Sequence, residues 1–314
     1  MPEEGIGRAM YFGSVRFFKN LILLFVILLI SVPTGLAFQY HAALREAGQT
    51  ASRMAADLDR LEQEVALWEQ KAEDAAADGE FLAEPPAYQE LYPDFYAPQP
   101  LDVKTRQEGT IYLTFDDGPT VHTDKILETL EEKQVKATFF VMGRTDETSK
   151  RRMRDIVEQG HALGMHTFSH DYDVIYSSVE AYLADMYKLF TLIKETTGQT
   201  PTLFRFPGGS INSYNHGIYR ELIAEMLRRG FVPHDWNLSA GDTLAQAATR
   251  EDVVQNILKD APGKVRGIVL LHDGPGKQST ANALGTVIDR LRDLGFSFDC
   301  LHPDTMPVLF MYES

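Results

Sequence analysis

Residues 110–119 read TIYLTFDDGP, and this stretch decides the fold. Its first half is rich in β-branched and aromatic side chains, which predicts a strand, and the Asp-Asp-Gly-Pro that follows is typical of a turn. Working outward, short β-rich runs alternate with amphipathic helical stretches about seven times before residue 300. Such alternation predicts a parallel sheet with helices outside, either closed as a barrel or open and doubly wound.

Polar residues follow five of the predicted strands directly, and β/α folds build their active sites at that end of the strands. The predicted strands cover 111–115, 137–142, 162–166, 203–206, 231–236, 268–272 and 296–298. The predicted helices cover 123–133, 147–159, 178–197, 214–229, 249–260 and 280–294. The sequence therefore predicts an active site at one rim of the sheet.

Each polar group taken alone has a structural explanation. Residues 116–119 form an ordinary turn sequence, and residues 270–273 can simply end a buried strand. His166 and His170 can share a face or line a loop. Because residue 167 is Thr, the His-Glu-x-x-His pattern of metalloproteases is absent. It is the joint occurrence of these groups at successive strand ends that favours a functional site.

Five motifs in this region resemble, in the same order, those of the NodB-homology polysaccharide deacetylases, carbohydrate esterase family 4. They are TFDDGP (114–119), HTFSH (166–170), RFPGG (205–209), Trp236 with Asp242, and LHD (271–273). The resemblance covers residues 109 to 300 and implies a distorted (β/α)7 barrel that removes N- or O-acetyl groups from sugars with the help of a metal. In layout the chain looks similar to membrane-anchored bacterial peptidoglycan N-acetylglucosamine deacetylases.

The resemblance implies that Asp117, His166 and His170 bind one divalent metal ion. Cys300 is the only cysteine, so a thiolate cluster is excluded and any metal must be held by histidine and carboxylate. We expect zinc, although cobalt, nickel and manganese accept the same donors. A metal held by three protein ligands keeps positions open, where it can activate water and polarise the acetyl carbonyl.

The other matched positions suggest a pair of proton-transfer groups. Asp116 is expected to be the general base, held ionised and oriented by Arg205, because an opposite charge lowers the pKa of a carboxyl group. His272 is expected to be the general acid, because an amine does not leave as an anion. Asp242 is expected to orient His272 and to raise its pKa.

The acetyl pocket is expected at Gly208, Trp236 and Leu270. The resemblance implies that the backbone N–H of Gly208 donates to the oxyanion and that Trp236 and Leu270 contact the acetyl methyl group. Apolar residues at the last two positions could equally well pack in the core. Two positions depart from the family pattern. Ser210 follows the two glycines where an aromatic residue is common, and Thr243 replaces the usual Trp. Both changes bear on substrate preference.

Composition limits the partners. The 314 residues include 30 Lys and Arg against 45 Asp and Glu, a net charge of −15 that repels phosphate backbones and argues against nucleic acid. An apolar share of 44% is typical of folded protein.

An uncharged apolar segment at 21–39 predicts a transmembrane anchor or a signal peptide cleaved near Ala37. The basic segment 1–20 precedes it, which favours a cytoplasmic N-terminus. We therefore expect a single-pass protein of the cell membrane with an extracellular catalytic domain, or a secreted protein if the segment is cleaved.

Residues 41–80 carry apolar positions at alternating spacings of three and four, typical of a coiled-coil stalk that could form a homodimer. Because this seam is rich in Ala, a single solvated helix is the alternative. Residues 81–108 contain five prolines and predict an extended linker. The catalytic domain is then expected at 109–314.

The main hypothesis is an exported, metal-dependent enzyme that releases acetate from N-acetylated cell-wall glycan, most simply from N-acetylglucosamine in peptidoglycan. One rival keeps the fold but changes the substrate, to an O-acetyl ester, chitin or xylan. The other is a non-catalytic glycan-binding scaffold. Relatives of that kind lose a ligand or the base, whereas every such position is present here.

Overall fold

The computed structural model describes residues 19, 21–23, 25, 85–98, 107–243 and 248–310. Contacts divide the chain into two units, 1–84 and 85–314. Within the described residues, no helix is both long enough and apolar enough to cross a membrane. Most of the 21–39 segment and all of the 41–80 stalk lie outside the described residues, so the anchor, the coiled coil and the homodimer stay predictions.

Eight parallel strands form the sheet of the described chain, and they include all seven that the sequence predicts. They are β1 (Thr110–Asp116), β2 (Thr138–Met142), β3 (Ala162–Thr167), β4 (Leu203–Phe204), β5 (Val232–Pro233), β6 (Leu238–Ser239), β7 (Gly267–His272) and β8 (Ser297–Asp299). Strand β6 was not predicted: it follows β5 after only four residues, and its pairing with β7 defines it.

The strand order is β5-β4-β3-β2-β1-β7-β6, and β1 pairs with three strands, β2, β7 and β8. Strand β8 pairs with the first half of β1, through Thr110 to Tyr112, and β2 pairs with its second half, through Thr114 to Asp116. The sheet is not closed by strand pairing between β5 and β6 in the described residues. The expected β/α architecture is therefore confirmed as a parallel half-barrel.

Seven helices connect the strands within the described residues, and a 3₁₀ turn at Ala87–Glu90 precedes them. They are α1 (Val121–Lys133), α2 (Glu147–Glu158), α3 (Tyr172–Ile175), α4 (Val179–Thr197), α5 (Tyr219–Arg228), α6 (Arg250–Asp260) and α7 (Gln278–Asp293). The short helix α3 was not predicted. Helix α5 begins at Tyr219 and not at residue 214, because the Asn212 side chain accepts hydrogen bonds from the backbone N–H groups of Tyr214 and Asn215 and holds a turn there.

Alternation along β1 separates the main core from the interior of the half-barrel. Ile111, Leu113 and Phe115 belong to the large apolar cluster that also contains buried helix residues, whereas Tyr112 belongs to a smaller cluster with residues of β2, β4, β5 and β7. Side chains two apart share a face of a strand, so Asp116 lies on the face of Tyr112. This face carries apolar packing at its start and a carboxylate at its end.

Residues 85–98 pack onto the catalytic unit, which corrects the linker interpretation of 81–108. Phe95 is fully buried in the main core. Arg229 is also fully buried, and its guanidinium donates to the carbonyl oxygens of Tyr88, Leu91, Tyr92 and Phe95, at 2.8–3.3 Å, and to Glu225 at 2.6 Å. All five N–H donors of an arginine are thereby satisfied. The prolines suggested an extended spacer. The contacts that hold residues 85–98 in the folded unit are with residues far away in sequence, such as Arg229.

We expect Phe95→Ala to lower the free energy of unfolding by about 3–5 kcal/mol, because it empties a fully buried aromatic site. Urea unfolding of the catalytic unit measures this change. The exposed Val265→Ala, 44% accessible, is the control and should change stability little. Equal stability of both variants would show that residues 85–98 are not part of the folded unit.

Candidate active site

Eight of the ten predicted site residues line one cavity of about 250 Å³. They are Asp116, Asp117, His166, His170, Gly208, Trp236, Leu270 and His272. The other two, Arg205 and Asp242, lie behind this wall, and each hydrogen-bonds one of the lining residues. Tyr172 and Thr243 complete the lining.

Asp117, His166 and His170 present three donor atoms within 4.8 Å of one another. Asp117 Oδ1 lies 3.5 Å from His166 Nε2 and 3.3 Å from His170 Nε2. This oxygen is buried and has no hydrogen-bond partner among the described residues. Donors of two tetrahedral zinc bonds lie about 3.3 Å apart, from metal–ligand lengths near 2.0–2.1 Å. The residues present therefore fit a divalent cation.

Contacts outside this group hold the histidines for such a role. His166 Nδ1 lies 2.9 Å from the carbonyl oxygen of Arg205, which leaves Nε2 on the side of Asp117. Burial lowers the pKa of His166 and so favours the neutral imidazole that a metal needs. The buried carboxylate of Asp185 accepts the backbone N–H of Phe168 at 2.6 Å, which fixes the loop between the two histidines.

Two of the three candidate ligands have left-handed backbone conformations, with φ of 73° at Asp117 and 55° at His170. Such conformations cost roughly 1–3 kcal/mol for residues other than glycine and persist where the surroundings impose them. Around Asp117, the carbonyl oxygen of Gly118 accepts from the N–H of Met142, at the end of β2. At His170, the backbone N–H donates to Thr167 Oγ1 at 3.2 Å. The strain is localised at the group that could hold the metal.

Asp116 and Arg205 form a buried ion pair, with 2.9 Å between Arg205 Nη1 and Asp116 Oδ1. Arg205 is inaccessible to solvent and also donates to Thr114 Oγ1 and to the carbonyl oxygens of His234 and Asp235. Its guanidinium stacks over the ring of Phe140, 4.4 Å away. The predicted pairing is therefore present, and Asp116 keeps its second oxygen, Oδ2, on the side of His166, 4.0 Å from Nε2.

His272 and Asp242 form the second pair, with 2.8 Å between Nδ1 and Oδ1. Asp242 Oδ2 accepts from the backbone N–H of His272 and from Thr280 Oγ1, so the carboxylate is fixed from two sides. Burial lowers the pKa of His272, but the hydrogen bond and the charge of Asp242 outweigh burial, and the net pKa is raised. The protonated imidazolium is thereby favoured.

The pocket wall contains aromatic rings that the motif positions did not predict. Gly208 has φ of 77°, and a Cβ there would lie 3.2 Å from the hydroxyl of Tyr172. A Cβ on Gly209 would collide with the ring of Phe310, which also packs edge-on against Trp236 at 4.9 Å. Tyr172 therefore lines the cavity beside Gly208, and Phe310 packs against Gly209 and Trp236, although neither ring belongs to a motif.

Buried carboxylates behind the cavity hold the loops that line it, and the sequence analysis did not assign them this role. Asp235 accepts from the backbone N–H groups of Ser210 and Phe310, at 2.8 and 2.7 Å, and from the Ser210 hydroxyl. It therefore ties the Gly208 loop to the C-terminal segment. Asp273 is fully buried, and burial raises its pKa to about 7. Thr123 Oγ1 donates to it beside the 116–119 turn. No sequence spacing marks either contact.

Residues 103–227 match the sequence profile of the polysaccharide deacetylase family. The chain is 30% identical over 218 residues to a peptidoglycan-N-acetylglucosamine deacetylase of Bacillus cereus, and the match covers 67% of this chain and 76% of that protein. With this extent of similarity the chain belongs to the polysaccharide deacetylase family. It is accordingly a hydrolase, as the motifs predicted.

Solved structures agree with this assignment. The catalytic domain of peptidoglycan N-acetylglucosamine deacetylase from Eubacterium rectale is 33% identical, with a TM-score of 0.64, and the match covers 68% of this chain and 97% of that domain. The polysaccharide deacetylase Bc1974 from Bacillus cereus is 28% identical, with a TM-score of 0.58 over 65% of this chain and 97% of that one. The predicted fold family is therefore confirmed.

Proposed function

We propose that the protein hydrolyses N-acetyl groups of a cell-wall glycan, N-acetylglucosamine of peptidoglycan first among them, and releases acetate with the help of one divalent metal ion. The observation that carries this proposal is the convergence of three groups on one cavity: a metal-binding trio, a carboxylate held by an arginine, and a histidine held by a carboxylate. Relatives named peptidoglycan-N-acetylglucosamine deacetylases support the choice of glycan.

Asp117, His166 and His170 would hold the metal, with zinc as the first candidate. When bound, such an ion polarises a carbonyl and lowers the pKa of water. The chain's own contribution is to hold one carboxylate oxygen and two imidazole nitrogens close together. That preorganisation is visible in the 3.3 and 3.5 Å separations.

Asp116 is the proposed general base. Its Oδ1 is engaged by Arg205, so the carboxylate is fixed and its other oxygen can take a proton from the attacking water. Arg205 is held in place, because its guanidinium donates to Thr114 and Asp116 of β1 and to two carbonyl oxygens after β5. Arg205 thus orients the Asp116 carboxylate and gives it a permanently charged partner.

His272 is the proposed general acid. Its Nδ1 is bound to Asp242, which leaves Nε2 as the atom that can give a proton to the departing sugar amine. The hydrogen bond and charge of Asp242 outweigh burial and raise the pKa of His272, which favours the protonated form that a general acid needs. An amide needs such a group, because a neutral amine is a far better leaving group than its anion.

Gly208, Trp236 and Leu270 are proposed to receive the acetyl group, with the backbone N–H of Gly208 as a donor to the developing oxyanion. The cavity of about 250 Å³ is proposed to take the acetylated sugar, with the rest of the glycan lying along its rim. We also propose that the chain acts outside the cytoplasm, which rests on the apolar segment 21–39 alone.

The full chain with zinc should release acetate from peptidoglycan and from chitooligosaccharides, and more slowly from acetylxylan. Acetate measured by an enzyme-coupled assay, with metal content measured on the same samples, tests the proposal. His166→Ala should lose both metal and activity, whereas the exposed His216→Ala, which belongs to no group of possible ligands among the described residues, should keep the metal. Full activity of a metal-free chain would refute the ligand set, and acetate release from acetylxylan alone would make the protein an O-acetyl esterase.

A further inference from the structure

We propose that Tyr214 forms a stacking subsite for the pyranose ring next to the sugar that is deacetylated. This inference rests on the proposed function, since it concerns the same glycan. Nothing in the catalytic motifs includes Tyr214, which lies in the loop between β4 and α5. Its side chain is 57% exposed, although it is a large aromatic residue.

A row of four rings leads from the candidate metal ligands to this exposed side chain. The ring centroids of His166 and His170 lie 5.2 Å apart, those of His170 and Tyr172 lie 5.3 Å apart, and those of Tyr172 and Tyr214 lie 4.9 Å apart. Three of these rings line the cavity, and Tyr214 continues the row beyond it. Tyr214 therefore lies two ring-to-ring steps from a candidate ligand, at the rim where a bound glycan must continue.

The backbone at Tyr214 is held by hydrogen bonds, unlike the backbone of many exposed loop residues. Asn212 Oδ1 accepts the N–H of Tyr214 at 2.8 Å, while Asn212 Nδ2 donates to the carbonyl oxygens of Pro207 and Gly209. Asn215 is fully buried and donates to Ser210 from the other end of the turn. A site held rigid before binding loses less entropy when the ligand arrives.

The exposed ring of Tyr214 suits the apolar face of a sugar. Tyr172 meets Tyr214 edge to face, at 61°, so one ring is braced against the other while the exposed ring keeps free surface. A pyranose with equatorial substituents presents a flat face of C–H groups, which suits an aromatic ring. Because Tyr214 lies beyond the cavity that takes the acetylated sugar, the expected ligand is a glycan of at least two sugar units, and not a monosaccharide.

Steady-state kinetics of the full chain on N-acetylglucosamine tetramer and on an aryl acetate test the subsite. Tyr214→Ala should raise the KM for the tetramer about tenfold, or about 1.4 kcal/mol, with little change in kcat. The aryl acetate has no neighbouring sugar, so its kinetics should stay unchanged. Tyr214→Phe keeps the ring and should behave like the parent protein. Equal KM values for the parent and Tyr214→Ala on the tetramer would overturn the proposal.

A binding measurement separates this inference from the proposed function. In an Asp116→Asn background, which should not turn over substrate, calorimetry should show tetramer binding weakened about tenfold by Tyr214→Ala and restored by Tyr214→Phe. If no glycan is deacetylated but this loss of binding is observed, the subsite stands and the deacetylase proposal falls. If deacetylation occurs and tetramer binding does not depend on the ring, the subsite falls alone.

Discussion

Asp116→Asn is expected to lower kcat for glycan deacetylation by roughly 10²–10⁴-fold, the usual contribution of a general base, while the metal stays bound. The amide keeps an oxygen for Arg205 Nη1, 2.9 Å from the present carboxylate, but cannot take a proton from water. Acetate release and metal content, measured on the same preparation, check both halves of this prediction.

The neighbouring carboxylate is the matched control. Asp117→Asn should lose the metal, because Asp117 Oδ1 lies 3.3 and 3.5 Å from the two histidine nitrogens, whereas Asp116 Oδ2 lies 4.0 Å from the nearer one. Thermal unfolding of both variants is needed, since Asp116 neutralises the buried Arg205. If Asp116→Asn released the metal and Asp117→Asn kept it, the two roles would have to be exchanged.

His272→Ala should reduce amide cleavage far more than cleavage of an activated aryl acetate. An amine must be protonated as the C–N bond breaks, while a phenolate leaves without a proton. We expect roughly 10²–10⁴-fold loss on the glycan and a small loss on the ester. Comparing two substrates in one variant cancels effects on folding and metal content. Equal losses on both would return His272 to a structural role at the end of β7.

Asp242→Asn tests the same assignment through pH. The pKa of His272 is raised because the bond and charge of Asp242 exceed the opposing effect of burial. Activity that needs protonated His272 is present below that pKa and is lost as the pH rises through it. Removing the charge of Asp242 lowers the pKa, so the alkaline limb of the kcat profile should move to lower pH. An unmoved limb would mean that another group titrates.

The candidate site could be predicted from sequence because its residues stand at strand ends. Parallel strands place their C-terminal ends at one edge, so Asp116 at the end of β1 and His272 at the end of β7 were expected at the same edge. In the structure the two residues are paired in register. The partners Arg205 and Asp242 also followed from the motifs, and the structure places each within 3 Å of its expected partner.

What the sequence could not predict depends on contacts between distant segments. Asp185 and Asp235 support active-site loops by accepting backbone N–H groups, and such bonds leave no pattern of spacing. Residues 85–98 resembled a spacer by composition, yet Phe95 fills the main core. Strand β6 was not predicted, because it is defined by its pairing with β7, which is distant in sequence.

Asp235, in the connection between β5 and β6, links the C-terminal segment to the proposed catalytic residues. The Phe310 N–H binds the Asp235 carboxylate, the carbonyl oxygen of Asp235 binds Arg205, and Arg205 binds Asp116. Arg266 also holds the carbonyl oxygens of Met306 and Pro307. An affinity tag fused after residue 310 is therefore less remote from the proposed base than its position in the sequence suggests.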